Sequence, residues 1–144
     1  MFSRTKFAGL AVLVAGLFLL AGTAQAQQAT TVLAKGEFHN ADKAGKGTAT
    51  VYQLANGKRV LRLSDFRTDN GPDLYVRLIA AADAKDTASV AKTKFVELAK
   101  LKGNKGNQNY ELPADLNLTT YRVVSIWCNR FSVNFAAAPL KEVK

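Results

Sequence analysis

Apolar and polar positions alternate with a period of two along most of this chain, in short runs broken by Gly, Asn and Asp. The clearest run is Leu74–Ile79: Leu74, Val76 and Leu78 share one face, and Tyr75 and Arg77 take the other. Gly36–Asn40 reads as a first strand and Ala41–Gly47 as the turn after it. Thr48–Leu54 and Arg59–Phe66 read as two strands joined by Asn56-Gly57, a dipeptide suited to the left-handed positions of a hairpin turn. Thr68–Pro72 is a tight turn. Phe95–Leu98 is a short strand, Lys102–Gln108 a loop, and Tyr110–Leu112 a brief pairing segment before Pro113. Ala80–Ala91 is alanine-rich, predicts a loose loop or short helix, and suggests no site; "PADLNLTTY" predicts one helical turn. Short strands without a long helical period predict an all-β fold: an antiparallel β-sandwich of jelly-roll or Greek-key kind, with at most one or two short helical turns.

The parity of the last two apolar runs is informative. In Tyr121–Cys128 the even positions Val124, Ile126 and Cys128 share one face, and Val123, Ser125 and Trp127 the other. In Phe131–Phe135 the odd positions Phe131, Val133 and Phe135 are apolar, with Ser132 and Asn134 opposite. A regular strand cannot change faces midway, so a bulge or tight turn is predicted near Asn129-Arg130. Cys128 then sits at a corner on the core-facing side, with Arg130 nearby.

The first residues follow another pattern. Arg4 and Lys6 precede an apolar run from Phe7 to about Ala21, and Ala24-Gln25-Ala26 is a small-residue cleavage site. This is the pattern of a secretory signal peptide over residues 1–26. The run is shorter than the roughly 20 residues that span a bilayer. Residues 27–34 then form a flexible start, and 35–144 a single domain in the periplasm or outside the cell. Losing Arg4 and Lys6 lowers the formal charge from +9 to +7. Lys92, Lys94, Lys100, Lys102 and Lys105 make a basic stretch that suits an acidic partner or an anionic envelope component; nucleic acid is not expected of an exported chain without interleaved aromatics.

The residue inventory excludes several chemistries. Beyond the leader there is one Cys (Cys128), one His (His39) and no Met. Blue copper needs two His and a Cys, and structural zinc needs four Cys/His ligands. The C-x-x-C-H of covalent haem and the C-x-x-C of thiol exchange are missing. Non-covalent haem with Cys128 or His39 as axial ligand survives. Asp65, Asp69 and Asp73 recur every four residues around a turn and are a weak cation candidate; capping of turn amides is the plainer role. The Gly loop "KGNKGNQNY" lacks the setting of a phosphate cradle. A lone cysteine in an exported chain is either inert core or kept for its chemistry, and the residues alone leave both open.

Four blocks carry a resemblance to a known family. They are "GTA" (Gly47–Ala49), "LSDFRTDNGPDLYV" (Leu63–Val76), "LKGNKGNQNYELP" (Leu101–Pro113) and "IWCNRFSVNF" (Ile126–Phe135) with "APL" behind it. Over about Gly36–Leu140 the chain resembles the DM13 domain. The resemblance implies an extracytoplasmic β-rich module proposed for electron transfer, rather than a turnover enzyme. The implied redox group is the cysteine of the I-W-C block, here Cys128, as a bare thiol or as ligand to a prosthetic group such as haem, with Trp127 and Phe131 beside it. Many members carry a His in the first turn, where this chain has Lys43; His39 lies four residues earlier. That departure weakens the haem version more than the thiol version. The alternative is a non-redox envelope binding or structural module in which Cys128 only packs the core.

Overall fold

Ten antiparallel strands account for the regular structure of residues 30–144, the part of the chain described in the computed structural model. The predicted signal peptide lies outside the described residues. The strands are β1 (Thr31–Glu37), β2 (His39–Asn40), β3 (Gly45–Gln53), β4 (Arg59–Thr68), β5 (Leu74–Ile79), β6 (Phe95–Lys100), β7 (Gln108–Glu111), β8 (Val123–Cys128), β9 (Val133–Pro139) and β10 (Lys141–Glu142). They form two five-stranded sheets, ordered β10-β1-β3-β4-β7 and β2-β9-β8-β5-β6. The expected all-β antiparallel sandwich is therefore the fold observed. Its only helix among the described residues is a 3-10 turn at Ala88–Val90.

The alternation seen in the sequence sets which side chains enter the core. Ala49 and Val51 of β3 and Leu61 and Leu63 of β4 face Val76 and Leu78 of β5 and Val124, Ile126 and Cys128 of β8 in one cluster. Each fully buried Leu, Ile or Val contributes about 1.5–3 kcal/mol relative to exposure. The opposite face of β8 is also covered: Val123 and Trp127 pack with Ile79, Ala137, Ala84 and Val90 in a second cluster. Ala84 and Val90 belong to the segment between β5 and β6, which crosses the outside of the second sheet as a strap. The loop expected over Ala80–Ala91 is thus real, but it has a structural role that its alanine-rich sequence does not announce.

Several expectations are corrected. β1 begins at Thr31, inside the stretch expected to be flexible. The single strand expected over Gly36–Asn40 is divided at Phe38, with β1 paired to β3 in one sheet and β2 to β9 in the other. The turn after it ends by Ala44, and Gly47 is a bulge within β3. At that bulge Gly47 has φ +111, and a Cβ there would come 2.7 Å from the Ser64 carbonyl oxygen. The facing strand is irregular too: Asp65 has φ 50, and burial passes from Leu61 and Leu63 to Phe66 and Thr68. The single helical turn expected in Pro113–Tyr121 is present at its end, where the Tyr121 amide donates to the Asn117 carbonyl at 2.9 Å. Arg59 fixes the segment, its Nη2 donating to the carbonyls of Pro113, Ala114 and Leu116 at 2.8, 3.0 and 2.8 Å.

Candidate functional site

The sequence blocks from separate parts of the chain meet at one end of the sandwich. Leu74 pairs with Cys128, the Asn129 amide donates to the Asp73 carbonyl at 2.9 Å, and the Leu101 amide donates to the Leu74 carbonyl at 2.8 Å. The Asn104 side chain donates to Asn70 Oδ1 at 2.6 Å. Gln108 Nε2 donates to the Gly103 carbonyl at 2.9 Å, and Tyr110 donates a short hydrogen bond to Gln108 Oε1. Burial pushes the Tyr110 phenol above its usual range, so this hydroxyl stays a donor. Gly71 lies directly on the core: a Cβ there would meet Leu74 Cδ2 at 2.8 Å and Phe135 Cζ at 2.9 Å. Between these loops is a cleft of about 160 Å3, lined by Asn70, Gly71, Pro72, Leu74, Lys100 and Asn104 among others.

Cys128 is the last residue of β8, opposite Leu74 of β5 and Val133 of β9. It is 0% exposed and part of the inter-sheet core. The tight turn predicted near Asn129-Arg130 is present as Asn129–Ser132, whose Ser132 has φ 53. A bulge adds to it, because Ile126 pairs with Ala136 while Trp127 pairs with Asn134, leaving Phe135 as the extra residue. Turn and bulge together allow the change of parity. The corner is more closed than expected. Arg130 is exposed, and the thiol lies among apolar side chains. Leu74 pairs with Cys128 across the β5–β8 ladder and also lines the cleft.

The other candidate residues are not gathered around the cysteine. Trp127 is 9% exposed and lies on the opposite face of β8. The Arg77 guanidinium is 4.6 Å from its ring centroid and 3.7 Å from that of Phe95, so the cation sits between two aromatic faces. Arg77 also donates to Asn129 Oδ1 at 2.8 Å and to Glu97 Oε1 at 3.4 Å. Burial holds its pKa below the usual guanidinium value. Phe131 falls in the turn and is 60% exposed, not on the expected apolar face.

His39 is occupied elsewhere. Its Nδ1 is 2.7 Å from the Asn40 carbonyl and its Nε2 is 2.7 Å from Asp83 Oδ1. Both partners are acceptors, so only the doubly protonated ring satisfies both contacts. Burial works against that charge, but the two hydrogen bonds outweigh it and lift the pKa above 6.5. Asp83 is lowered: burial opposes its charge, and the bonds from His39 and the Ala84 amide overcome that. A ring held this way has no free lone pair for a metal. With Cys128 sealed in the core and His39 donating from both nitrogens, these residues do not fit a haem in this fold.

The aspartate candidate is also dispersed. The Asp65 amide donates to Asn107, Asp69 lies 3.5 Å from the Ala44 amide, and Asp73 is 4.0 Å from Lys100 Nζ. Among the described residues no three His, Cys, Asp or Glu side chains gather to hold a metal.

One polar network escaped the sequence reading. Asn134, expected opposite the apolar face of its strand, is 0% exposed. It accepts from Ser125 Oγ at 2.8 Å and donates to the strap carbonyls of Ala84 and Asp86 at 3.2 and 3.3 Å. Thr87 of the strap donates to Asp42, and its hydroxyl accepts from the Asn134 amide at 2.8 Å. With His39–Asp83, these bonds fasten the strap over Trp127. The signal in the sequence was a lone Asn inside the apolar stretch Val133–Leu140. No local signal pointed to Asp83.

An antiparallel sandwich with one sealed cysteine at the meeting point of its loops is the class that geometry defines. A model of the DM13 family, described as electron transfer DM13, matches residues 37–140, and the chain belongs to that family. The family description supports an electron-transfer role at that coarse level. No curated protein and no solved structure matches the chain. Among the described residues, no helix is long and apolar enough to cross a membrane.

Proposed function

We propose that this protein is an exported electron-transfer accessory module in which Cys128 is the redox residue, held closed in the resting fold. The observation that carries this reading is position. Cys128 pairs with Leu74, a residue that also lines the surface cleft beside the Asn70–Pro72 and Gly103–Asn104 loops. A thiol in this apolar setting is inert, so reaction requires the Asn129–Ser132 turn and the Leu74 end of β5 to open. Once open, the thiolate attacks a peroxide. The O–O bond breaks, an S–O bond forms, and water or an alcohol leaves; the sulfur has given up two electrons as sulfenic acid. A partner thiol then displaces water to form a mixed disulfide. The leader-like residues 1–26 support export, to a compartment where such exchange persists.

The test is hydrogen peroxide treatment of the folded mature protein with dimedone present, read by intact mass, with Cys128→Ser as control. An adduct that Cys128→Ser abolishes is expected. Its absence from folded protein leaves the second reading, which the complete burial of Cys128 favours: a non-redox envelope module in which this residue only packs the core.

A further inference from the structure

We propose that the β6 edge of the second sheet is the docking surface for an acidic protein partner. This names the partner's chemistry for the electron-transfer reading and rests on that reading. β6 is the outermost strand of its sheet, hydrogen-bonded only to β5. Lys92 and Lys94 precede it, Lys100 ends it, and Lys102 and Lys105 follow; all five are exposed. Glu97 is the only acidic residue from 92 to 105. Its carboxylate is already taken by Arg77 at 3.4 Å and Asn129 at 3.2 Å. Among the described residues only Lys100 has a further carboxylate nearby, Asp73 at 4.0 Å, so most of the positive charge of this edge is unpaired.

An apolar anchor stands in the same strand. Phe95 is 47% exposed, yet the Arg77 guanidinium lies 3.7 Å from its ring centroid and is backed by Trp127. A ring fixed before binding loses little freedom when a partner covers it. A fixed aromatic ringed by charge is the anatomy of an interface hot spot. The lysines also select the occupant. A free strand edge invites pairing, but the lysines at both ends of β6 repel a second copy of this chain and any basic strand. An acidic polypeptide carrying an apolar side chain meets both the charge and the ring, and complementary charge speeds its encounter.

The probe is a random glutamate–tyrosine copolymer, with poly-L-glutamate as the purely acidic comparison and phosphatidylglycerol vesicles as the membrane comparison. Binding to the mature protein is measured at about 0.1 M salt, where charges more than about 10 Å apart are screened. Lys92→Glu/Lys94→Glu/Lys100→Glu is compared with Lys35→Glu/Lys46→Glu/Lys141→Glu, an equal charge change among exposed lysines of the other sheet. The edge triple is expected to weaken copolymer binding at least tenfold and the control triple less than threefold. Phe95→Ala is expected to erase the preference for copolymer over poly-L-glutamate. Equal loss in both triples means that net charge alone acts, and overturns the proposal. So does edge-dependent binding to the vesicles without edge-dependent binding to the copolymer. Cys128→Ser separates the two readings: it removes peroxide chemistry and leaves copolymer binding unchanged, so either result can fail alone.

Discussion

Replacing Leu74 by Ala should unlock Cys128 without dismantling the sandwich. Leu74 is 6% exposed, packs beside Cys128 across the β5–β8 ladder, and forms part of the cleft wall. Truncating a buried leucine costs about 2.7–5 kcal/mol, and a site near the surface that can relax falls toward the lower figure, so we expect about 2.5–3 kcal/mol. Through global unfolding alone, that loss would speed thiol labelling about a hundredfold, at tenfold per 1.4 kcal/mol. Leu61→Ala is the comparison, because Leu61 is 0% exposed and lies on the facing sheet. The assay is the rate of Cys128 alkylation by iodoacetamide in native buffer, with urea melts giving the stability of each variant. The expected result is labelling of Leu74→Ala well above what its stability loss allows, and labelling of Leu61→Ala in line with its own loss. If both variants label in proportion to stability, Leu74 is not the barrier and the cleft is not a route to the thiol.

Three further outcomes follow from the same geometry. Asn134→Ala leaves the Ser125 hydroxyl and two strap carbonyls without their partner, and should cost about 2–4 kcal/mol in urea melts; a loss below about 1 kcal/mol would mean the network does not hold the strap. Trp127, the only tryptophan, reports on the strap by fluorescence. Since His39 is raised above 6.5, its share of stability is complete below that value and fades as pH climbs through the raised pKa. Since Asp83 is lowered from 3.8, its share is complete above that value and disappears as pH falls through the lowered pKa. The latch is thus tightest between about pH 4 and 6.5, and Asp83→Asn should flatten the fluorescence change on the alkaline side; an unchanged profile would refute the latch. Cys128→Ser buries a hydroxyl among apolar neighbours and should cost about 1–3 kcal/mol, whereas Cys128→Ala should cost about 1 kcal/mol; equal losses would mean the site is wetter than the structure.

The period-two pattern was enough to read most of the sandwich, because core burial dictates which face of a strand is apolar. Leu74–Ile79 and the two faces of β8 were legible to the residue. The pattern was silent where tertiary contacts override local alternation. Phe38 is one apolar residue in a strand-like run, and nothing local shows that the chain changes sheets there. The strap looked like spacer because its small alanines are what allow it to lie flat on Val123 and Trp127. At the candidate site, parity placed Cys128 facing the core beside a turn, as observed. It could not show that Phe131 leaves the apolar face for an exposed turn, nor that His39 is held by a partner 44 residues away. Those facts depend on where loops from distant parts of the chain come to rest.

In the proposed function Cys128 is closed at rest and opens locally. The most direct measurement is the rate of iodoacetamide labelling of the mature wild-type protein across urea concentrations well below its unfolding midpoint. Local opening exposes little surface, so labelling should vary weakly with urea and proceed far faster than global unfolding permits. Labelling that follows the full unfolding free energy and its urea dependence would contradict that proposal, and would leave Cys128 as a packing residue.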